Sequence, residues 1–509
     1  MREAKQDLWY SREFNDANFA DDRLNRRLIL LAKTLSEHPL SPINQACKDS
    51  MEAKAAYRFF SSKKTSLENI LHTHQVHVRE RSAGEKLIYV VQDGSSLDFT
   101  NHIRTTGLGS IGTPGKRKAK IKNQGLGMHT GLALTAEGFP LGIISQHFWA
   151  RPFEVDYQRR KNLWRVPIEE KETFHWIKCM RESVELFRKD RADSPTIIQI
   201  GDRGADIFEF MEATIQEEAH FIIRGVQIRR PVVREGRKIW RENAKARAYF
   251  TTEDALKKTP LKGNLWIEVP RCPPQNNSVE IASRIAEVEI RAVAVKIAPP
   301  KKLMKLRREN GPFSEIHLFE QRSREASLDV NLIWLKEIYP PAGTEPLEWF
   351  IYTDLPVDSI EVATKIIDAY KLRWRIELLH KIMKSGCRVE DCRLSTAERL
   401  KKYITLSSII AWRILWMTYL NRKDPGSSSA SFLTKTEWVA LHCRIHETNV
   451  PPKKPPTVHQ ALHWIARLGG FLDRKSDGEP GMVTIWRGWQ RLTDIAEDWE
   501  IFHSRKRYG

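Results

Sequence analysis

The period of the hydrophobic positions changes along the chain, beginning with a helical stretch over residues 1–80. Two acids at positions 21 and 22 come just before an apolar run that ends at Leu31, which is typical of the start of an amphipathic helix. Residues 53–60 have the same spacing and predict a second helix. We therefore expect this first stretch to be helical.

The pattern then changes to short continuous apolar runs, as in strands that are buried on both faces. The first run, 87–91, ends at Gln92-Asp93-Gly94. The further predicted elements are strands at 128–134, 140–144, 196–200 and 221–223, with helices over 168–189 and from about Asp206. Strands that alternate with helices in this way predict a mixed α/β layer.

A third sequence pattern covers residues 226–347, where strand-like segments are separated by Pro and Gly. These segments are 265–269, 288–291 and 330–335. We interpret the stretch as a mainly β insertion. Residues 349–352, which follow it, again have the apolar pattern of a strand. From about Ser359 the chain is helical, with breaks at 424–429 and 451–456.

The amino-acid composition indicates what kind of partner the chain binds. The 509 residues include 83 Lys and Arg against 64 Asp and Glu, a formal charge of +19, and 41% hydrophobic residues argue for folded cores. The simplest partner for such an excess of positive charge is a polyanion, with nucleic acid first and an anionic membrane surface second.

Of these two candidate partners, the membrane is the weaker. The first seven residues contain no apolar segment, so we see no secretory signal. The longest apolar run, 403–420, contains Arg413 and four Ser or Thr residues, which favours a buried helix. Six scattered cysteines are typical of a reducing compartment, and we expect a cytoplasmic protein. Cys387 and Cys392 have no second pair at zinc-ligand spacing.

Two carboxylates stand at the ends of predicted buried strands. Asp93 and Asp202 each follow a continuous apolar run by one or two residues, and sites gather at strand ends in open α/β sheets. Two such carboxylates in one crevice are suitable ligands for divalent cations. The alternative is turn chemistry, because Asp is a good turn former beside Gly.

A third carboxylate belongs to a polar stripe. Tyr370, Arg373, Glu377 and Lys384 fall within roughly 60° of arc at about 100° per residue, and apolar residues occupy the opposite side. The pattern predicts one helix that presents this stripe. The alternative is a solvated face with an Arg373–Glu377 pair.

These motifs together resemble the bacterial cut-and-paste DDE transposases of the insertion-sequence-four family. The Tyr-x2-Arg-x3-Glu-x6-Lys spacing over 370–384 agrees with that family at every position. The other similar segments are 93–97, 202–207, 345–349 and 465–471. Two ordered Asp motifs and the four-residue signature carry the resemblance together.

The resemblance implies a fold and a domain order. Residues 81–400 would form an RNase H-like α/β core, a mixed sheet with flanking helices, interrupted by the β insertion at 226–347. Residues 1–80 would be a helical domain that binds the DNA ends, and 401–509 a helical dimerisation region. The partners would be double-stranded DNA, both transposon ends and target, and a second copy of the chain.

The resemblance also implies an activity and its residues. Asp93, Asp202 and Glu377 would be catalytic and would bind two Mg²⁺ or Mn²⁺ ions. DNA would be cut through a hairpin intermediate, and its 3′ ends joined to target DNA. Trp349 would stack on a flipped base, helped by Trp374, although a strand-core Trp is the alternative.

The remaining predicted DNA contacts are basic or aromatic residues. Phosphates near the scissile bond would be bound by Arg224, Tyr370, Arg373 and Lys384. The terminal repeat would be read by Arg23, Arg26, Arg27, Lys54, Tyr57 and Arg58. The basic segments 116–122 and 224–241 are further candidates, with solvated loops as the alternative.

Three other functions remain open at this point. A structure-specific nuclease on the same core would cut DNA without joining it. A non-catalytic inhibitor would bind DNA and form mixed dimers. A chromatin-like basic binder would leave the three acids unexplained.

Overall fold

A computed structural model of the chain describes residues 8–111, 123–153, 165–191, 193–240, 248–269, 282–304 and 319–504. The chain forms two compact units. The first unit consists of Met1–Ile88, Gly94–Glu154 and Arg375–Gly509, and the second of Tyr89–Asp93 and Val155–Trp374.

The helices of the described residues lie mainly at the two ends of the chain. They are α1 (Trp9–Phe14), α2 (Asp22–Glu37), α3 (Ile43–Ala46), α4 (Ser50–Ser61), α5 (Leu67–Arg81), α6 (Phe174–Arg188), α7 (Phe208–Gln216), α8 (Thr252–Lys258), α9 (Phe319–Glu325), α10 (Ile360–Lys371), α11 (Trp374–Lys381), α12 (Ala397–Lys423), α13 (Lys435–His446), α14 (Val458–Leu468) and α15 (Met482–Ser504).

The strands lie between those helical regions. They are β1 (Leu87–Asp98), β2 (Gly109–Ser110), β3 (Gln124–Thr135), β4 (Pro140–Trp149), β5 (Thr196–Gly201), β6 (His220–Arg224), β7 (Gly263–Val269), β8 (Arg284–Ile297), β9 (Leu328–Glu337) and β10 (Glu348–Thr353). Every strand predicted from the apolar runs is present, and both ends of the chain are helical, which confirms a mixed α/β fold with helical ends.

In the first unit, the N-terminal helices pack on strand β4 and on α12. Gln75 of α5 donates to the carbonyl of Ile144 at 2.8 Å. The Lys402 ammonium of α12 donates to the carbonyl of Ser62 at 2.8 Å. These polar side chains join α5 to β4 and α12 to the end of α4.

The longest apolar run of the sequence is a buried helix, as predicted. It lies in α12, where Arg413 is buried. Burial lowers the pKa of the Arg413 guanidinium to about 9, and the group packs over the ring of Trp416 at 4.2 Å. Among the described residues, no helix is long and apolar enough to cross a membrane.

In the second unit, the strand order is β1-β5-β6-β10-β9-β8-β7, with only Tyr89–Asp93 of β1 belonging to this unit. Strands β5 and β6 are parallel. The pairs from β6–β10 through β8–β7 are antiparallel. The predicted β insertion contains β7, β8 and β9, and the domain boundaries given above stay predictions.

Candidate active site

Asp93 lies within strand β1 and not beyond its end, so the predicted end of this strand is wrong. The strand continues to Asp98, and Gly94 does not have the positive φ that a tight turn would need. The turn alternative for Asp93 is therefore excluded. The Asp93 side chain is half-buried.

Asp202 follows β5 directly and opens a 3₁₀ turn over Arg203–Ala205. Its Oδ1 accepts the backbone N–H of Gly204 at 2.7 Å. A Cβ at position 204 would lie 3.0 Å from that oxygen and 3.2 Å from the Trp176 ring, so Gly permits this close approach. One carboxylate oxygen thus makes the turn. The described residues supply no hydrogen bond to the other.

Buried glutamines align the two strands that carry these acids. Gln92 Nε2 donates to Gln199 Oε1 at 2.8 Å, and Gln199 Nε2 donates to Ser183 Oγ at 2.8 Å. Both glutamines are fully buried, so a shift in register would leave their amides unpaired. Asp93 is the next residue after Gln92, and Asp202 lies three residues after Gln199. Oxygen donors on neighbouring strands are suited to a hard divalent cation.

The predicted single helix over 370–384 is wrong. Helix α10 ends at Lys371, α11 begins at Trp374, and Ile382–Gly386 forms a π turn. Arg373 lies in the junction between these helices. Tyr370 is buried at 4% exposure and is not part of an exposed stripe, because its ring packs against Trp349 at a centroid distance of 5.3 Å.

A cluster of arginines surrounds Tyr370 and the acids of the second unit. Arg373 Nη1 lies 3.6 Å from Asp93 Oδ2. Burial raises the pKa of the Tyr370 phenol, while the charges of Arg373 and Arg224 lower it. Burial lowers the pKa of the Arg224 guanidinium, and nearby Arg203 acts in the same direction. Arg203 was missed by the sequence reasoning, although it directly follows Asp202.

Arg224 lacks a carboxylate partner among the described residues. Its Nη2 lies 3.5 Å from the carbonyl oxygen of Glu348, and its Cζ lies 5.6 Å from the Trp349 ring centroid. Because Arg224 pairs across the strands with Ile351, Trp349 lies diagonally from it on the same face. A half-buried guanidinium without an anion is a suitable phosphate ligand.

A buried ion pair, also missed from the sequence, fixes the chain just after Arg224. Asp206 pairs with Arg230, and both side chains are at most 2% exposed. Asp206 Oδ2 also accepts the backbone N–H groups of Val226 at 2.7 Å and Gln227 at 2.6 Å. The motif that follows Asp202 therefore determines the path of the segment after β6.

Glu377 and Lys384 belong to the first unit. Glu377 is half-buried on α11. Lys384 Nζ donates to the carbonyl of Ser96 at 2.7 Å, and Glu390 accepts the N–H of Asp98 at 2.8 Å. Within this unit, the residues that follow Asp93 thus meet the residues that follow Glu377. Trp374, which is 54% exposed, ends the second unit.

Comparison with protein-family models gives three matches. A transposase DNA-binding model matches residues 6–65, a transposase DDE domain model matches 175–413, and a model of the transposase Tn5 dimerisation domain matches 409–507. The chain belongs to the Tn5-type DDE transposases. It is therefore a DNA-binding, dimerising enzyme of DNA transposition, and its DDE domain makes it dependent on divalent metal for cutting and transfer. Asp202 and Glu377 lie within the DDE match, and Asp93 precedes it.

The DNA-binding match of this Tn5-type transposase covers helices α1 to α4. Lys54, Tyr57 and Arg58 have the i, i+3, i+4 spacing of one helix face on α4, and all three are exposed. On α2, Arg23 and Arg26 are exposed and Arg27 is half-buried. Arg23 pairs with the capping residue Asp21 at 3.1 Å. The basic segment 116–122 lies outside the described residues.

The dimerisation match of the transposase contains a close crossing of α14 and α15. A Cβ at Gly488 would lie 1.7 Å from the carbonyl oxygen of Ile465, and one at Gly469 would lie 1.9 Å from that of Thr484. Only glycine permits these helices to approach so closely. This gives a physical reason for Gly469 in the 465–471 motif.

Proposed function

We propose that this transposase binds terminal inverted repeats of a mobile element, cuts both strands through a hairpin, and joins the 3′ ends to target DNA. Asp93, Asp202 and Glu377 would hold the metal ions. The observation that carries the proposal is the fixed register of Asp93 and Asp202 beside a cluster of arginines. Carboxylates for cations next to guanidinium groups for phosphates are what phosphoryl transfer requires.

The metal ions, two Mg²⁺ or Mn²⁺, would supply activation of the attacking hydroxyl and stabilisation of the leaving oxygen. The arginines contribute to the same displacement by binding the phosphate. Arg224 and Arg373 supply planar donors that suit phosphate oxygens. Tyr370 stays protonated, since burial raises its pKa, and its phenol can donate a hydrogen bond. We assign Lys384 and Trp374 to DNA contact as well.

The reaction would proceed through four displacements on DNA. Water would first cut one strand at the transposon end. The freed 3′-OH would attack the opposite strand and leave a hairpin, which a second water would reopen. The same 3′-OH would then attack target DNA. No covalent bond to the protein is required.

Replacing Trp349 with alanine is expected to lower hairpin yield by about tenfold to a hundredfold, because base–aromatic stacking contributes about 1–3 kcal/mol per base. Trp349→Phe should retain most of the yield, since its ring can still stack. The measurement is gel analysis of hairpin and nicked products from an end substrate.

Trp334 is the matched control for this experiment. It lies on β9 opposite Phe350, the neighbour of Trp349, so the strand alternation puts it on the other face of the sheet. Trp334→Phe should leave the ratio of hairpin to nick unchanged. An unchanged ratio in Trp349→Ala would instead assign Trp349 to the core.

Replacing both Lys54 and Arg58 with alanine is expected to weaken end binding and to reduce its salt dependence. If each residue neutralises one phosphate, the slope of log K against log salt should fall by about 0.9 per contact. Fluorescence anisotropy over a salt series measures this slope. Lys33, which lies on α2 and pairs with Glu37 at 3.8 Å, is the control. An unchanged slope in the double variant would remove these residues from the interface.

A further inference from the structure

A group of metal-ligating side chains lies in the C-terminal part of the first unit, apart from the catalytic acids. His459 and His463 stand four residues apart on α14, and Glu479 lies in the connection to α15. One ligand atom from each of the three lies within 4.8 Å of the others. Two His at i and i+4 present both imidazoles on one helix face, a spacing used by zinc sites.

The Nδ1 atom of each imidazole has a hydrogen-bond partner outside the three residues. His463 Nδ1 lies 2.9 Å from Asp473 Oδ1, and His459 Nδ1 lies 3.2 Å from Asn421 Oδ1. Because both partner atoms only accept hydrogen bonds, each Nδ1 carries the proton. The Nε2 atom of each ring is then the candidate ligand, and a carboxylate or amide partner on the other nitrogen is typical of metal-bound His.

Glu479 completes the donor set and is itself held in place. Its Oε2 accepts from Asn421 Nδ2 at 2.6 Å and lies 3.4 Å from His463 Nε2. A separation of 3.4 Å suits two ligands of a tetrahedral ion with bonds of about 2.0–2.1 Å. Asn421 thus positions both Glu479 and His459.

We propose that His459, His463 and Glu479 bind one transition-metal ion of the Zn²⁺ class. Two imidazoles and one carboxylate suit Zn²⁺, Co²⁺ or Ni²⁺ better than the hard Mg²⁺ ion. The bound ion joins α14 to the 470–481 connection and, through Asn421, to α12. It stabilises the region matched by the dimerisation model and has no part in the chemistry at Asp93 and Asp202.

The test is a titration of the full-length protein, stripped with chelator, with Zn²⁺ by calorimetry and with Co²⁺ by visible absorption. Wild type should bind one equivalent with the intense visible bands of tetrahedral Co²⁺. His459→Ala and Glu479→Gln should each weaken this binding by about a hundredfold or more, and Asp473→Ala by about 10–100-fold. Zn²⁺ should raise the melting temperature of wild type but not of Glu479→Gln, which keeps an acceptor for Asn421.

Two controls isolate the site. His442 and His446 are also spaced i, i+4, on α13, but they face Trp464. Replacing both with alanine should therefore leave the protein able to bind one equivalent of metal. Repeating the titration in Asp202→Asn separates ions bound by the catalytic acids. The proposal would be overturned if the wild-type protein bound no metal ion tightly at this site. It would also be overturned if His459→Ala still bound one equivalent of metal tightly.

Discussion

Replacing Asp202 with alanine is expected to reduce strand cleavage at a transposon end by at least about a thousandfold, since metal-assisted charge stabilisation supplies several kcal/mol and about 1.4 kcal/mol is tenfold in rate. Asp93→Ala and Glu377→Ala should have the same effect. End binding should stay within about twofold of wild type, because the six candidate end-reading residues lie on α2 and α4. Nicking of a labelled end and a gel-shift assay measure the two properties.

Asp98 provides a matched control on the strand of Asp93. It is exposed near the end of β1 and accepts the N–H of Thr100 at 2.8 Å, so Asp98→Ala should nick at close to the wild-type rate. Normal nicking by Asp93→Ala, Asp202→Ala or Glu377→Ala would contradict the assignment of that acid. Loss of nicking in Asp98→Ala as well would point to general damage in β1.

Replacing Asp206 with alanine is expected to destabilise the second unit by about 3–5 kcal/mol, because it leaves the buried Arg230 charge without its partner. The N–H groups of Val226 and Gln227 would also lose their acceptor. Urea unfolding followed by hydrogen exchange of residues 220–230 measures the loss. Exchange is needed because a chain with two units does not unfold in one step.

The neighbouring residues Arg229 and Arg230 form a matched pair for this test. Arg229 pairs with Glu253 at 2.6 Å, but its side chain is 77% exposed. Arg229→Ala should therefore cost at most about 1 kcal/mol. Arg230→Ala should be as harmful as Asp206→Ala. Equal, small losses in both arginine variants would show that the buried pair contributes little.

The apolar pattern predicted the elements of the fold well because burial on one or both faces leaves a clear periodicity. Runs such as 196–200 and 221–223 became strands β5 and β6. The end of β1 was predicted wrongly, because Gly94 was interpreted as a turn residue. Pairing of the backbone in an extended sheet overrides such local preferences.

The sequence identified the candidate residues of the site better than it predicted their arrangement in space. The spacing of Tyr370, Arg373 and Glu377 is compatible with one helix, but the chain breaks between α10 and α11 while Tyr370 packs against Trp349. Contacts between residues distant in sequence decide such breaks, and periodicity does not report them. The same holds for Gln92 and Gln199, which are 107 residues apart.

The most direct test of the proposed function is a joining assay with purified protein, Mg²⁺ and linear DNA that carries the short inverted repeats flanking the gene. We expect hairpin-ended donor DNA, reopened ends, and covalent joining of the 3′ ends to target DNA. Metal-dependent nicking without any joined product would indicate a nuclease, and end binding without nicking would indicate a non-catalytic inhibitor. Either result would contradict the proposed function.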